Sequence, residues 1–115
     1  MLRGEIRLVN LDPTVAGEAA KTRPAVIVSN DALNAVAMSL SRGVVTVVPI
    51  TSNTKKVYPF QVELDKDSTG LSVQSKAQAE QIRAVSISRI GRRIGVLNAD
   101  LQQQLDVALR LHLNL

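Results

Sequence analysis

The chain has 115 residues with no cysteine and a single histidine, so disulfides, thiol catalysis and thiolate-bound zinc are excluded, and any histidine relay has to be built around His112. Hydrophobic residues make up 45% and charged residues 21%, the balance of one globular domain spanning 1–115, with no apolar run long enough for a membrane span. A net charge of +4 favours a polyanion or an acidic protein as partner, while 2% aromatics leaves few platforms for stacking bases. The opening MLRGEIRL has neither an apolar signal core nor a cleavage pattern, and the expected location is the cytoplasm.

Residues 5–11 (EIRLVNL) alternate as a first strand, with Ile6 and Leu8 on one face. Asp12-Pro13 opens a turn, and residues 13–22 (PTVAGEAAKT) form a long loop with Gly17 as hinge, of the length that often carries function. Residues 25–29 follow as a β-branched run that reads as a strand covered on both faces. Pro24 cannot donate to a sheet ladder, so it is expected at that strand's first position, and it pushes Arg23 toward extended geometry.

Asn30 or Asp31 caps a short helix over 34–40, closed by Arg42-Gly43. Residues 44–50 form a second buried strand that Pro49 bulges or ends, followed by Thr51, Ser52 and Asn53. Lys55-Lys56-Val57 is a basic turn, 59–64 an edge-like strand and 65–70 a turn cluster. Residues 77–85 read as two short strands broken near Gln81, 86–90 as a capped turn and 94–97 as a last strand. The terminal helix starts at the cap Asn98, with Leu101, Leu105, Ala108, Leu109 and His112 at helical spacing. The sum is a mainly β, α+β fold: a small barrel or strongly bent antiparallel sheet with a helix packed on it.

Most candidate chemistry has a plainer reading. His112 reads as a packed or capping histidine near a helix end, Asp65 and Asp67 as a solvated turn lacking the other ligands of a calcium loop, and Gly91-Arg92-Arg93 as a basic turn. Nothing brings Glu63 and Glu80 together as an acid/base pair. Arg23 stands apart through its place at the mouth of a rigid strand. A guanidinium is a poor base but clamps phosphate well and offsets charge growing on phosphoryl oxygens. Thr51, at the end of a neighbouring strand, can donate its hydroxyl to a non-bridging oxygen. RNA brings its own nucleophile in the 2′-hydroxyl, so a site without histidine, cysteine or metal can cut it. The residues alone leave a structural surface arginine open beside that reading.

RGEIRLVNLDPT (3–14), TRPAVIVSND (22–31), VVPITSN (47–53) and AEQIR (79–83) together resemble the MazF/PemK-type toxins of bacterial toxin–antitoxin pairs, in that family's order and spacing. The resemblance implies an SH3-like barrel, a homodimer and metal-independent cleavage of single-stranded RNA within short sequences, leaving 2′,3′-cyclic phosphate and 5′-hydroxyl ends. It carries the catalytic arginine and threonine onto Arg23 and Thr51. Where the family's loop often reads G-S-E-Q, this chain has Gly17-Glu18-Ala19, which keeps Glu18 without the flanking Ser and Gln. Gln81 matches a position in the substrate groove.

On this reading Glu18, Lys21, Pro24, Ser52, Asn53, Lys56 and Gln81 bind the RNA, with Lys55 and Lys56 steering its backbone. No cofactor is expected. The partners are single-stranded RNA, an acidic antitoxin that folds on binding, and a second copy of the chain. Two rivals are a related-fold toxin that poisons DNA gyrase by binding it and a catalytically dead RNA-binding module.

Overall fold

β2 (Thr22–Ile27) is flanked by β1 (Glu5–Asn10) on one edge and β3 (Val44–Thr51) on the other. The computed structural model describes residues 1–11 and 22–115, so the predicted loop, with Glu18 and Lys21, lies outside the described residues apart from Thr22. Ala25, Val26 and Ile27 are each fully buried, as a continuous β-branched run requires. Val26 joins Ile6, Val48, Ile50 and Leu64 in one apolar cluster, and Ala25 and Ile27 join Val9, Val45, Val47 and Val85 in a second. Consecutive residues of a strand point to opposite faces, so both faces of β2 are covered.

The strand begins earlier than the sequence suggests. Pro24 is its third residue, opposite Leu8 of β1 and one step before pairing with β3 starts at Ala25 and Pro49. On β1, Ile6 and Val9 are fully buried and Leu8 only half-buried, because register shifts against β7 (Ile90–Val96) on either side of Arg7 disturb the simple alternation.

The remaining elements in chain order are α1 (Asp31–Leu40), β4 (Gln61–Leu64), a single helical turn α2 (Lys66–Thr69), β5 (Ser75–Gln78), β6 (Arg83–Ser86) and α3 (Ala99–Leu113). Among the described residues the strands form one antiparallel sheet in the order β4-β5-β3-β2-β1-β7, with β6 also on β3. The sheet is not closed: of the two forms expected, a small barrel or a strongly bent antiparallel sheet, it is the open sheet. Pro49 lies within β3 where its pairing changes hands. Along one edge of β3, residues 44–47 pair β6 and residues 50–51 pair β5, and Pro49 falls in the gap where no ladder hydrogen bond is needed. The strand passes through the proline rather than ending there.

Local signals account for the helices. Asn30 Oδ1 accepts the Leu33 N–H at 2.9 Å and starts α1 three residues ahead of the predicted helix; Asn98 does the same for α3 through Leu101 at 2.9 Å. Leu101, Leu105, Ala108 and Leu109 bury the face of α3 toward β4 and the core, each leucine worth roughly 2 kcal/mol of transfer free energy. His112 is exposed in the last turn of that helix rather than packed. The predicted turn at 65–70 becomes α2, with Asp65 as its cap, and the supposed basic turn Gly91-Arg92-Arg93 lies inside β7, which starts at Ile90. The two strands predicted between 77 and 85 are present as β5 and β6, separated by a 3₁₀ turn at Ala79–Gln81. Among the described residues no helix is long and apolar enough to cross a membrane.

Candidate active site

β2 carries Arg23 to the entrance of the sheet, and β3 carries Thr51 to its own end. The β2–β3 pairing ends at Ala25 and Pro49, and Arg23 and Thr51 each stand two residues beyond that last pair. Both side chains line one cavity of about 330 Å³ together with Pro24, Ile50 and Ser52. Its far wall is the segment between α2 and β5: Leu71, Ser72, Val73 and Ser75. The two strand ends singled out in the sequence therefore meet at one concave surface.

Arg23 is exposed, and among the described residues its guanidinium has no hydrogen bond or ion pair, which leaves its planar fork available to an oxyanion. It is the one charged side chain among the described residues lining the cavity. Thr51 Oγ1 accepts the Asn53 N–H at 3.2 Å. That contact uses a lone pair and orients the hydroxyl without consuming its proton, so the O–H can still donate to a ligand. Asn53 Oδ1 in turn accepts the Lys55 N–H at 3.3 Å, which makes Asn53 a turn-former in the loop that follows.

The other expected residues spread more widely. Pro24 and Ser52 line the cavity, whereas Asn53, Lys55 and Lys56 sit beyond it on the exposed loop 52–60. Lys56 Nζ lies 4.7 Å from the centre of the Tyr58 ring, and Tyr58 stacks on Phe60 with centroids 5.3 Å apart. Gln81 is exposed in its 3₁₀ turn and does not line the cavity. Glu63 accepts from Gln74 Nε2 at 3.0 Å and Glu80 from Gln61 Nε2 at 2.7 Å, so each carboxylate is held by its own amide.

Sequence reasoning missed the wall at 71–75. Ser75 is buried and donates its Oγ–H to the Val73 carbonyl at 2.9 Å, a contact that shapes the wall. The turn residues at 65–70 hinted at a return toward the sheet, but only the β3–β5 pairing brings this wall up against Thr51.

This arrangement can bind a phosphodiester through Arg23, polarise it with a hydroxyl and accommodate an adjacent base between serine hydroxyls and small apolar side chains. The family model described as PemK-like, MazF-like toxin of type II toxin-antitoxin system matches residues 2–113. Endoribonuclease MazF9 of Mycobacterium tuberculosis is 58% identical over 115 residues, which is 100% of this chain and 98% of that protein. In fold, the chain superposes on a MazE-MazF crystal structure from Deinococcus radiodurans with a TM-score of 0.80 at 26% identity, covering 100% of this chain and 96% of that one. It also superposes on an endoribonuclease in complex with its cognate antitoxin from a mycobacterial species, with a TM-score of 0.73 at 24% identity, covering 100% and 96%.

Proposed function

We propose how this chain works from one premise: it belongs to the PemK-like, MazF-like toxin family of type II toxin–antitoxin systems and is an endoribonuclease. It cuts single-stranded RNA within short sequences and without a metal ion. The RNA 2′-hydroxyl attacks the adjacent phosphorus, an O2′–P bond forms, and the P–O5′ bond breaks. The products are a 2′,3′-cyclic phosphate and a 5′-hydroxyl. Arg23 clamps the scissile phosphate and offsets the charge that builds on its oxygens in the phosphorane. The Thr51 hydroxyl donates to a non-bridging oxygen and holds the phosphate in line. The 2′-hydroxyl proton passes to solvent, and the departing 5′-oxygen is protonated from Arg23 or water.

The observation that carries this reading is the single cavity in which Arg23, free of any acidic partner among the described residues, stands with Thr51. Pro24 and Ser52 line the same cavity, and Asn53 shapes the turn beside it. Lys55 and Lys56 steer the RNA backbone from the adjoining loop, so binding weakens as salt rises. Glu18, Lys21 and Gln81 contribute to the RNA groove.

Two protein partners complete the proposal. An acidic antitoxin complements the net charge of +4, and the family description and the mycobacterial neighbour solved with its antitoxin support such a partner. A second copy of the chain pairs with the first: Leu33, Val36 and Leu40 stand exposed on α1 with Val44 beside them, an apolar surface of the kind a two-fold interface covers. The toxin acts in the cytoplasm, where its RNA is.

The test is incubation of the purified protein with a defined mixed-sequence RNA and a matched DNA in EDTA, with the RNA ends mapped. Expected is cutting of RNA only, at a repeated short motif, with cyclic-phosphate ends, and a loss of about 100-fold or more in Arg23→Ala and in Thr51→Ala. Cutting that survives both substitutions, with folding intact, refutes this site.

A further inference from the structure

We propose that Lys76 is a positioning residue for RNA cleavage, a buried cation that fixes the loop 52–60 against the Arg23–Thr51 site. The proposal rests on the reading of that site given above. Lys76 is directly opposite Thr51 in the β3–β5 pair, and opposite residues of an antiparallel pair project to the same face with their Cβ atoms about 5 Å apart. Thr51 therefore has two cations for neighbours: Arg23, with which it lines the cavity, and Lys76, its partner on β5.

Unlike Arg23, Lys76 is 8% exposed and does not line the cavity. A buried ammonium is costly unless it is held by hydrogen bonds. Glu63 is its opposite neighbour on β4, yet no ion pair forms between them, and Glu63 is bonded to Gln74 instead. The Lys76 ammonium donates to the Lys56 backbone carbonyl at 2.6 Å and lies 5.9 Å from the centre of the Tyr58 ring, the ring that Lys56 Nζ also approaches. A charge-assisted bond to a main-chain oxygen in the middle of an exposed loop is a tether.

The rest of the loop is tied at its ends. Thr51 Oγ1 takes the Asn53 N–H, Asn53 Oδ1 takes the Lys55 N–H, and Gln61 Oε1 takes the Tyr58 N–H at 3.1 Å. Lys76 supplies the tie at the centre. Its loss frees Lys55 and Lys56 to wander from the RNA path while leaving Arg23 and Thr51 in place, so its effect belongs to binding rather than to the chemical step.

Lys76→Met keeps the length of the side chain and removes the charge and donor. The measurements are kcat and KM on a short RNA substrate, amide hydrogen exchange over residues 52–60, and binding of the same oligonucleotide with a 2′-deoxy sugar at the cut site. Expected are KM and the analogue's Kd raised about tenfold, kcat within about twofold of the parent, and faster exchange confined to 52–60. An exposed second variant, Tyr58→Leu, removes the ring that both ammonium groups face and moves the same quantities in the same direction by a smaller factor.

Unchanged KM and unchanged exchange in folded Lys76→Met overturn the proposal. If that variant does not fold, unchanged values in Tyr58→Leu overturn it. The exchange measurement needs no cleavage, so failure of the Arg23–Thr51 reading, seen as activity retained in Arg23→Ala, is distinguishable from failure of the tether.

Discussion

Charge alone does not explain a residue such as Arg23. A lysine there keeps the positive charge but not the planar pair of donors that meets two phosphoryl oxygens at once. Arg23→Lys is therefore expected to lose most of the cleavage rate, about 100-fold, while RNA binding at low salt changes little. Equal rates for the two proteins would show that a point charge suffices. Asp65 illustrates a different residue-scale effect. The Ser68 hydroxyl donates to its carboxylate at 2.7 Å and the Ser68 N–H at 2.9 Å, and these two bonds hold its pKa below the ordinary 3.8. A carboxylate with a lowered folded pKa stabilises the fold above its unfolded pKa, and that stabilisation is lost as pH falls through the folded value. The Tm difference between the parent and Asp65→Asn is thus expected to be level near neutral pH and to shrink below about pH 4. A difference constant through that range would remove the charge from the account.

At the scale of elements, the contact between α2 and β7 depends on two glycines. Gly70 ends α2 at φ +83°, and a Cβ there would sit 2.7 Å from the Ile94 carbonyl oxygen. A Cβ on Gly95 would overlap the Thr69 carbonyl oxygen outright. Both obstacles are backbone and cannot swing aside, so Gly95→Ala is expected to destabilise by about 3 kcal/mol, read as a lower urea midpoint. An unshifted midpoint would mean that β7 can lift off α2 without cost. Much of the element plan was legible beforehand. Asn30 and Asn98 announced their helices, and the broken strand pair around Gln81 was readable from its residues. The basic stretch at 91–93 was not, because glycine and two arginines carry turn-like composition, and only pairing with β1 makes them strand.

For the whole molecule, an open sheet raises the question of its edges. β4 is flanked by α3, and β7 at the other end carries exposed Arg92 and Arg93, charges that discourage pairing with a second strand. The apolar surface around α1 has no such protection. Leu33 and Leu40 are 61% and 59% exposed, and replacing both by glutamate is expected to convert a dimer into a monomer in sedimentation while the monomer stays folded. A dimer that persists would place the interface elsewhere.

The sequence by itself determined the chemistry available and the local units that carry it. Without cysteine, and with one histidine, arginine and hydroxyl groups were left among the candidates to meet a phosphate, and the run after Pro24 read as a strand covered on both sides. The four motifs and their order were enough to indicate the family. Tertiary structure decided what those units meet. The pairing of β2 with β3 brings Arg23 and Thr51 to one cavity, while the handover of β3 from β6 to β5 at Pro49 brings Ser72 and Ser75 to it and Lys76 opposite Thr51. Such neighbours are chosen by pairing between segments far apart in the chain. Their identity is therefore a property of the sheet as a whole, which no local run of residues encodes.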